Sequence, residues 1–343
     1  MSLRIVRVAD SEMARQWAAY VTPRTRSVFD LLEWTRVLAD AYGIDSHLLA
    51  ALSGDRVVGT LGLAEIKHPV FGHYLTTAAF DTDGGLYFDD TPARDALTAE
   101  ARSLATRLGV SYLLIRTREA VLDGYQIDRR YRTAVVDLDG GPDAVWERLP
   151  SKTRNQVRRG MKEGFTVESG LAQRDAFFEV FHRHMRDLGS PAHSPTFYTA
   201  ITEQLGDRAD FMTVREGSTI VSGALLFWIN GTAMNLHTVS LREYNRRCPN
   251  YLIYWRMIEA SCARGCRTLD MGRSEADSPT LAFKLNWTPG DILLDYNYFL
   301  VKAKEIPFLN PRNPKFRLAT TAWRRLPVAM TKMIGPRLIS GLA

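Results

Sequence analysis

Two stretches of this chain repeat the same order of residue types, and this repeat constrains the fold more than any other feature. Residues 47–66 (HLLAALSGDRVVGTLGLAEI) and 210–229 (DFMTVREGSTIVSGALLFWI) each place two apolar segments around a turn with a glycine, Gly54 or Gly217. Alternating apolar segments on both sides of such a turn predict a β-hairpin. The chain is therefore expected to contain two hairpins built on one pattern.

The similarity extends beyond the hairpins. Residues 91–117 and 248–274 each start an amphipathic segment near a proline, end it at a glycine (Gly109 or Gly265) and continue as an apolar strand. Proline in the first turn and glycine after the last turn are typical helix boundaries. Chance similarity between two hairpins is the alternative, but the shared order of elements favours duplication of one fold.

We therefore predict an α/β (α+β) chain with two tandem domains, each a mixed, mostly antiparallel sheet flanked by helices. The expected boundaries are 1–135 for the first domain, 136–300 for the second and 301–343 for a basic C-terminal tail. The tail mixes cations with apolar side chains, and its prolines limit it to short helices. Such a segment suits an anionic membrane surface or a lipid-linked substrate, and docking on the protein's own core is the alternative.

Charge, hydropathy and cysteine usage exclude several classes of protein. The net charge is +6, but residues 306–343 contain seven cations and no acid, so the rest of the chain is near neutral. We therefore expect no DNA partner. The apolar runs are too short for a membrane span, and the first residues lack a secretory signal. The three cysteines have no metal-type spacing, so we predict reduced thiols, no metal and a cytoplasmic location, with peripheral contact at the inner face of the membrane through the tail.

The starts of the two predicted helices differ in charge. Asp89 and Asp90 precede the first helix, where an acid complements the positive end of the helix dipole. Arg246 and Arg247 precede the second, and Cys248 is a weak N-cap. Free N–H groups beside two arginines predict a site for a phosphate-bearing ligand in the second repeat only.

The residues expected to bind that ligand lie on both sides of the helix start. In the alternative reading, one of the two asparagines caps the helix and the arginines are merely solvated. The predicted set is Tyr244, Asn245, Arg246, Arg247 and Asn250.

A second cationic feature is the predicted helix at 151–164 (SKTRNQVRRGMKEG). An apolar stripe from Trp146 to Met161, through Leu149, Thr153 and Val157, is expected to pack on the core. The charged face carries like charges four residues apart, which repel each other unless something negative lies against them. Candidate partners are acids of the protein, a phosphate, or a phosphorylated lipid or sugar carrier; a solvated face is the alternative. The predicted substrate-binding residues are Lys152, Arg154, Asn155, Arg158 and Lys162.

Several segments taken together carry a family resemblance. They are SKTRNQVRRGMKEGFTVE, HRHMRDLGSP, SLREYNRRCPNYLIYW, LDMGRSEADSPTLAFKLNW and AWRRLP. The chain resembles the FemAB-like proteins associated with exosortase/PEP-CTERM exopolysaccharide loci, within the GCN5-related N-acetyltransferase (GNAT) superfamily. The resemblance implies two tandem GNAT-like domains, and transfer of an acyl or aminoacyl group to an amine of a cell-envelope or exopolysaccharide precursor.

The resemblance also implies an activated donor as co-substrate, acyl-CoA or aminoacyl-tRNA, and no tightly bound cofactor. A tRNA donor is not favoured, because the long helical arm of FemAB enzymes is absent. The pyrophosphate loop of acyl-CoA enzymes is rich in glycine, whereas this chain has RRCPNY at that place. The donor therefore stays open.

In this fold the donor lies between two separated strands, here TAMNLHTVSL and RTLDMGRS. His237 on the first is a candidate base, with a packed strand histidine as the alternative. Asp270 ends the second strand, and the loop after it supplies Arg273 and Ser274. Lys284 matches the family's Phe-Lys motif and is predicted to stabilise a phosphate or the developing oxyanion. The alternative is a lysine that is merely exposed on the surface. His237, Asp270 and Lys284 form the predicted catalytic set, and Arg273 and Ser274 contact substrate.

Two other functions are open at this stage. One is a catalytically degenerate sensor in exopolysaccharide synthesis that binds a ligand such as a cyclic dinucleotide through its arginines. The other is a scaffold in a membrane-associated synthesis complex. The favoured function is an acyltransferase acting on a phosphate-bearing small molecule or a lipid-linked sugar.

Overall fold

A computed structural model describes residues 3–307 and 317–342 of the chain. These residues form two compact units. The first contains residues 3–132, 292–307 and 340–342, and the second contains residues 133–291 and 317–339. Within the described ranges, no helix combines the length and the apolar character that crossing a membrane requires.

The first unit is a mostly antiparallel sheet with helices. Its elements are β1 (Leu3–Arg7), α1 (Ser11–Val21), α2 (Leu32–Tyr42), β2 (Asp45–Ser53), β3 (Arg56–His68), β4 (Gly72–Thr76), β5 (Leu86–Phe88), α3 (Thr91–Leu108), β6 (Tyr112–Arg118), the first half of β7 (Gln126–Asp137) and β13 (Ile292–Leu300). The strand order is β1-β2-β3-β4-β6-β13-β7, with β5 paired to β3. Strands β4 and β6 pair in parallel. The pairs β1–β2, β2–β3, β3–β4, β3–β5 and β6–β13 are antiparallel.

The second unit repeats this plan. Its elements are the second half of β7, α4 (Gly141–Arg148), α5 (Ser151–Lys162), β8 (Thr166–Ser169), α6 (Arg174–Leu188), α7 (Pro195–Leu205), β9 (Ala209–Glu216), β10 (Thr219–Ile229), β11 (Thr232–Ser240), α8 (Pro249–Ala263), β12 (Thr268–Glu275), α9 (Pro279–Lys284), α10 (Arg317–Trp323) and α11 (Val328–Ile339). The strand order is β7-β12-β11-β10-β9-β8. Strands β11 and β12 run parallel, and β8 to β11 pair antiparallel.

The predicted fold is confirmed, because both repeats form the expected elements. Hairpins β2–β3 and β9–β10 occupy the two similar stretches, and α3–β6 and α8–β12 follow them. In each unit the long helix after the hairpin packs on the sheet. Leu97 of α3 and Ile253 of α8 are buried in the respective cores.

The observed units differ from the predicted boundaries at residues 292–300. Strand β13 pairs antiparallel with β6, from Leu294 opposite Arg118 to Leu300 opposite Tyr112, so it belongs to the first unit. The sequence expectation placed this segment at the end of the second domain. The pairing joins residues far apart in the chain, and no local pattern reports it.

Of the predicted tail, helices α10 and α11 belong to the second unit, whereas residues 301–307 and 340–342 belong to the first, and residues 308–316 lie outside the described residues. Lys332 of α11 forms an ion pair with Glu179 of α6, at 2.5 Å. Arg186 of α6 donates to the carbonyl oxygen of Leu326 at 3.1 Å. The short helices expected from the prolines are present as α10 and α11.

The predicted apolar stripe before and along α5 is only partly correct. Thr153, Val157 and Gly160 are buried, whereas Met161 is 41% exposed. Pro150 separates α4 from α5, but Trp146 and Leu149 before it pack in the same core cluster as Val157 after it. Gly160, and not Met161, lies on the packed face, because the backbone at the start of α8 comes very close to α5 there. A Cβ at Gly160 would lie 2.8 Å from the carbonyl oxygen of Cys248.

Candidate functional site

Strands β11 and β12 become irregular at the same level. They pair in parallel from Thr232–Met234 with Thr268–Asp270. Beyond this point β11 has a bulge, because Leu225 and Leu226 of β10 face His237 and Asn235 and so leave one residue of β11 unpaired. On β12, Gly272 has a left-handed backbone (φ 74°). A bulge and a left-handed glycine re-aim the side chains that follow them.

Asp270 fixes the bend at Gly272. The buried Asp270 carboxylate accepts hydrogen bonds through Oδ1 from the Thr133 hydroxyl (2.6 Å) and from the Gly272 N–H (2.8 Å). A Cβ at Gly272 would lie 2.9 Å from the carbonyl oxygen of Asn235, so only glycine fits this close approach. The geometry makes Asp270 a positioning residue for the bend.

Lys284, at the end of α9, directs its ammonium group to the same bend. The residue is 5% exposed, and Nζ donates to the carbonyl oxygens of Gly272 (2.7 Å) and Arg273 (3.2 Å). Burial lowers the pKa of Lys284 to about 8, against the opposing effect of the Asp270 charge. A buried lysine with a perturbed pKa is a candidate functional group. The structure thus brings together Asp270, Arg273 and Lys284 from the predicted set.

The strand β12 continues to Glu275, so Arg273 and Ser274 lie on it and not in a loop after Asp270, and Ser274 is buried. Its hydroxyl has no hydrogen-bond partner among the described residues. Arg273 is exposed.

His237 lies in a cluster of buried rings. Its ring is 4.6 Å from that of Phe181 and 5.5 Å from that of His193, measured between centroids. Nε2 is buried and has no partner among the described residues. Burial lowers the pKa of His237 to about 3, which makes the imidazole a weak base near neutral pH. The predicted role as catalytic base gains no support from this environment.

The start of α8 lacks a side-chain cap. Cys248 is the N-cap residue in the left-handed region (φ 60°), and no side chain caps the helix, so neither asparagine does so. The Cys248 thiol instead donates to Gln156 Oε1 of α5 at 2.8 Å. In the first unit, by contrast, the Asp90 carboxylate accepts from the Ala93 N–H at 2.8 Å, as expected from the sequence.

Arg247 belongs to the predicted anion site, but its charge is already paired with acids of the protein. Its guanidinium forms an ion pair with Glu163, at 2.5 Å from Nε to Oε2, and a second with Glu216. The charge is therefore balanced inside the protein, because two acids distant in sequence reach the helix start. Arg246 and Asn245 are exposed and face solvent, Asn250 is half-buried, and Tyr244 packs against the core.

Helix α5 presents most of the predicted cationic face to solvent. Lys152, Asn155, Arg158 and Lys162 are exposed, and Arg158 donates to Asn155 Oδ1 at 3.2 Å. The Arg158 guanidinium lies 5.1 Å from the centre of the Trp146 ring. Arg154 is half-buried, and its Nε has no partner among the described residues.

The sequence analysis did not predict that α5 contacts the start of α8. Gln156, Gly160 and Glu163 on one side of α5 reach Cys248 and Arg247 at the start of α8. The cationic helix and the uncapped helix start are therefore neighbours within one unit. The sequence signal for this packed side is the three residues without positive charge in a basic helix, namely Gln156, Gly160 and Glu163.

A cavity of about 270 Å3 lies between the end of β7, α4 and the segment 285–289. Trp287 is buried at its wall, and the indole N–H has no partner among the described residues. The walls are formed by Val136, Asp137, Val145, Arg148, Pro150, Leu285, Asn286, Trp287, Thr288 and Pro289.

Within residues 3–307 and 317–342, no group of acidic, histidine and cysteine side chains could hold a metal ion.

A family model matches the segment that carries this site. Residues 151–284 match the model described as an acetyltransferase (GNAT) domain. The prediction of a transferase is confirmed by this match. The matched segment extends from the first residue of α5 to Lys284, the last residue of α9. Acetyltransferases of this type take acyl-CoA as a co-substrate, which is one of the two donors that the sequence left open.

Solved structures share the fold at low sequence identity. FemX aligns with a TM-score of 0.64 and 14% identity, covering 92% of this chain and 100% of that chain. A tandem GNAT protein from the clavulanic acid biosynthesis pathway gives 0.58 and 17%, covering 89% and 100%. L-PGS from Bacillus licheniformis gives 0.55 and 12%, covering 92% and 98%. A search of curated protein sequences gives no match.

Proposed function

We propose that the second unit transfers an acyl or aminoacyl group from an activated donor to an amine. The observation that carries this proposal is the joint irregularity of β11 and β12, with the buried Lys284 ammonium at the bend. A gap between parallel strands offers unpaired backbone groups to an extended ligand. The match to an acetyltransferase domain supports the same reaction class.

Lys284 is proposed to stabilise the transition state. When the amine attacks the donor carbonyl, negative charge develops on the carbonyl oxygen, and a fixed cation nearby lowers the barrier. With a pKa of about 8, Lys284 is mostly protonated at neutral pH and can donate to that oxygen. As the new C–N bond forms, the C–S or C–O bond of the donor breaks, and the proton lost by the amine ends on the leaving thiolate or alkoxide.

The donor's phosphate is proposed to lie at the start of α8. This helix has no side-chain cap, and Arg246 is exposed beside it. Backbone N–H groups at a helix start and a nearby arginine bind phosphate well. Both acyl-CoA and aminoacyl-tRNA carry phosphate, so this site suits either donor.

The second unit is favoured over the first as the donor site. In the first unit, the corresponding parallel strands are β4 and β6. There the buried Arg116 guanidinium donates to the carbonyl oxygens of Ala78 (2.7 Å) and Asp81 (2.9 Å), so both backbone groups already have a partner within the protein. The acid cap of α3 disfavours phosphate as well.

The acceptor is proposed to be a phosphate-bearing precursor of the cell envelope or of an exopolysaccharide, such as a lipid-linked sugar. The exposed row of Arg158 and Lys162, with Lys152 and Asn155 nearby, is suited to its anionic part. The relatives named FemX and L-PGS share the fold, in agreement with an aminoacyl or acyl transfer of this kind.

Turnover with a panel of donors tests the proposal. The purified chain is incubated with acyl-CoA thioesters or with aminoacyl-tRNAs and amine acceptors, and transfer is followed by mass spectrometry. Wild-type protein is expected to transfer with at least one donor class, and Lys284→Met is expected to lose the activity. Binding of a cyclic dinucleotide without any transfer would favour the sensor function instead.

A further inference from the structure

A small cavity in the first unit is lined mostly by aromatic and aliphatic side chains. Trp17, Phe29, Trp34 and Tyr87 contribute aromatic rings, and Asp30 is the one charged side chain among the described residues that line it. The cavity has a volume of about 30 Å3. One water needs roughly 10–15 Å3, so there is space for about two or three non-hydrogen atoms.

The Asp30 carboxylate at this wall is buried and has no cation beside it. Oδ2 accepts hydrogen bonds from the hydroxyl groups of Thr25 (2.8 Å) and Tyr87 (2.5 Å), and no side chain donates to Oδ1 within residues 3–307 and 317–342. Two arginines of the same unit form ion pairs with Asp83 instead. A buried carboxylate is normally paired with a positive charge, so the wall of this cavity lacks a cation.

The charge of Asp30 is present near neutral pH. Burial raises the pKa of Asp30 to about 6, and the hydrogen bonds from Tyr87 and Thr25 oppose this effect. The negative charge of Asp83 acts in the same direction as burial. Burial also raises the pKa of Tyr87 well above its usual value, so that its hydroxyl stays neutral. Above pH 7 the cavity wall therefore carries one negative charge.

The aromatic rings favour an organic cation over a metal ion. Phe29 and Trp34 meet edge to face, with centroids 4.2 Å apart. The indole N–H of Trp34 donates to the carbonyl oxygen of Ala79 at 3.2 Å, which helps to hold the ring in place. Aromatic rings attract ammonium groups and pack against the carbon atoms attached to them, whereas Ca2+ and Mg2+ prefer a shell of oxygen ligands.

We propose that this cavity binds the ammonium group of an unbranched primary amine, with Asp30 balancing its charge and the aromatic rings around its first carbon atoms. The side chains of Thr35 and Ser46 line the cavity and are half-buried, so the cavity reaches the surface there. The remainder of a longer amine can extend through this opening. Binding at this site does not require the transfer reaction of the second unit.

Saturation-transfer difference NMR on the full-length protein above pH 7 tests the site. The probe is ethylammonium chloride, with sodium chloride added to keep the ionic strength constant. Wild-type protein is expected to bind it saturably with a Kd of about 1 mM or weaker, near the limit for three non-hydrogen atoms. Ethanol has the same size without the charge, and tert-butylammonium has the charge but is too bulky. Both are expected to bind at least about tenfold more weakly.

A longer probe identifies the source of the amine. If Nα-acetyl-lysine amide binds more tightly than ethylammonium, the site takes a lysine side chain. If it binds more weakly, the site takes a free alkylamine.

Two substitutions at the cavity complete the test. Asp30→Asn keeps the shape and removes the charge, and is expected to weaken ethylammonium binding about tenfold or more. Ser46→Phe keeps Asp30 but fills the opening, and is expected to abolish binding. Asp55→Asn, at an exposed position of the same unit, is the matched control and should bind within about twofold of wild type.

Three results would overturn the proposal. They are wild-type protein that does not bind ethylammonium saturably, Asp30→Asn with the affinity of wild type, and ethanol binding as tightly as ethylammonium. Thermal melting checks that each variant is folded. If Asp30→Asn is poorly folded, Ser46→Phe decides, and wild-type affinity in that variant would place the bound amine elsewhere and equally overturn the proposal.

Discussion

Lys284 and Gly272 are joined by a hydrogen bond of 2.7 Å from the lysine Nζ to the glycine carbonyl oxygen. This bond connects α9 to the only left-handed residue of β12, where Asp270 also fixes the backbone. A cation, a carboxylate and a bent strand therefore meet at one point of the second unit. This arrangement holds the ammonium group in place without a direct carboxylate partner in these contacts, which is how a lysine can keep a lowered pKa and stay available for catalysis.

The pH dependence of transfer is the first prediction. Burial lowers the pKa of Lys284 to about 8, so the protonated form is lost as the pH rises through this value. If the ammonium group stabilises the oxyanion, kcat should fall above about pH 8. Lys284→Met should reduce kcat about 100-fold or more, in the range found for loss of an oxyanion donor. Lys284→Arg keeps the charge and should move the alkaline fall out of the measured range. An unchanged alkaline fall in the methionine variant would assign it to another group.

Arg246 and Arg247 should behave differently although they are adjacent. Arg247 pairs with Glu163 and Glu216, so Arg247→Ala should lower the midpoint of thermal unfolding. Arg246 is exposed, and Arg246→Ala should leave that midpoint near wild type while weakening binding of the active donor about tenfold or more. Calorimetry of unfolding and donor titration measure the two effects. Equal donor affinity in Arg246→Ala and wild type would remove this residue from the donor site.

The cationic row of α5 leads to a third prediction. Arg158→Ala should raise the KM for the acceptor strongly, because a phosphate contact is lost, with a thermal midpoint equal to or above that of wild type. Removal of one of several like charges relieves repulsion. Arg36→Ala, at an exposed position of the first unit, is the control with the same change in charge. A large fall in the thermal midpoint with unaltered KM would make Arg158 a structural residue that acts through its contact with Trp146.

The environment of Glu65 in the first unit predicts how the stability of the fold changes in acid. Burial alone would raise its pKa, but hydrogen bonds from His47, Lys67 and His73 outweigh this effect and lower the pKa to about 2. His47 Nε2 lies 2.9 Å from Oε2, and His73 Nε2 lies 2.7 Å from Oε1. A carboxylate with a lowered pKa stabilises the fold above its unfolded value of 4.5, and this stabilisation is lost as the pH falls towards 2. Wild-type protein should therefore lose stability over this range.

Glu65→Gln is the matched test for that expectation. The variant should be less stable than wild type at pH 7, and the difference should shrink between pH 4.5 and 2, as measured by urea unfolding. A constant difference across this range would show that other carboxylates determine the acid behaviour.

The sequence was most informative where structure depends on near neighbours. The two hairpins, the helix after each of them and the Asp90 cap of α3 follow from patterns a few residues long. The uncapped start of α8 was also predictable, because cysteine is a weak cap and the following residue is proline.

The sequence was least informative where residues distant in the chain meet. Arg247 looked free because neither Glu163 nor Glu216 is close in sequence. The ring of His237 contacts that of Phe181, in a helix more than fifty residues earlier. For Lys284, a motif match indicated importance, but only the folded chain reveals the two carbonyl oxygens that hold its ammonium group.

The close packing of α5 on α8 gives the last prediction. At Gly160 an added Cβ would lie 2.8 Å from the carbonyl oxygen of Cys248 and 3.1 Å from the Leu252 Cβ. Alanine favours a helix over glycine by about 1 kcal/mol, so an unpacked site would be stabilised by Gly160→Ala. Here the first of these contacts is with backbone, which cannot rotate away, and the substitution should instead destabilise the protein by about 1–3 kcal/mol.

Gly290→Ala provides the reference, because a Cβ there would have no atom within 4 Å. Its free energy of unfolding should stay close to wild type. Since Gly160 lies beside the uncapped start of α8, Gly160→Ala should also weaken donor binding, which Gly290→Ala should not do. Chemical denaturation and donor titration on the two variants measure both effects. A Gly160→Ala protein as stable as wild type would show that α5 can shift away from α8 at little cost, and the donor site could then not depend on their contact.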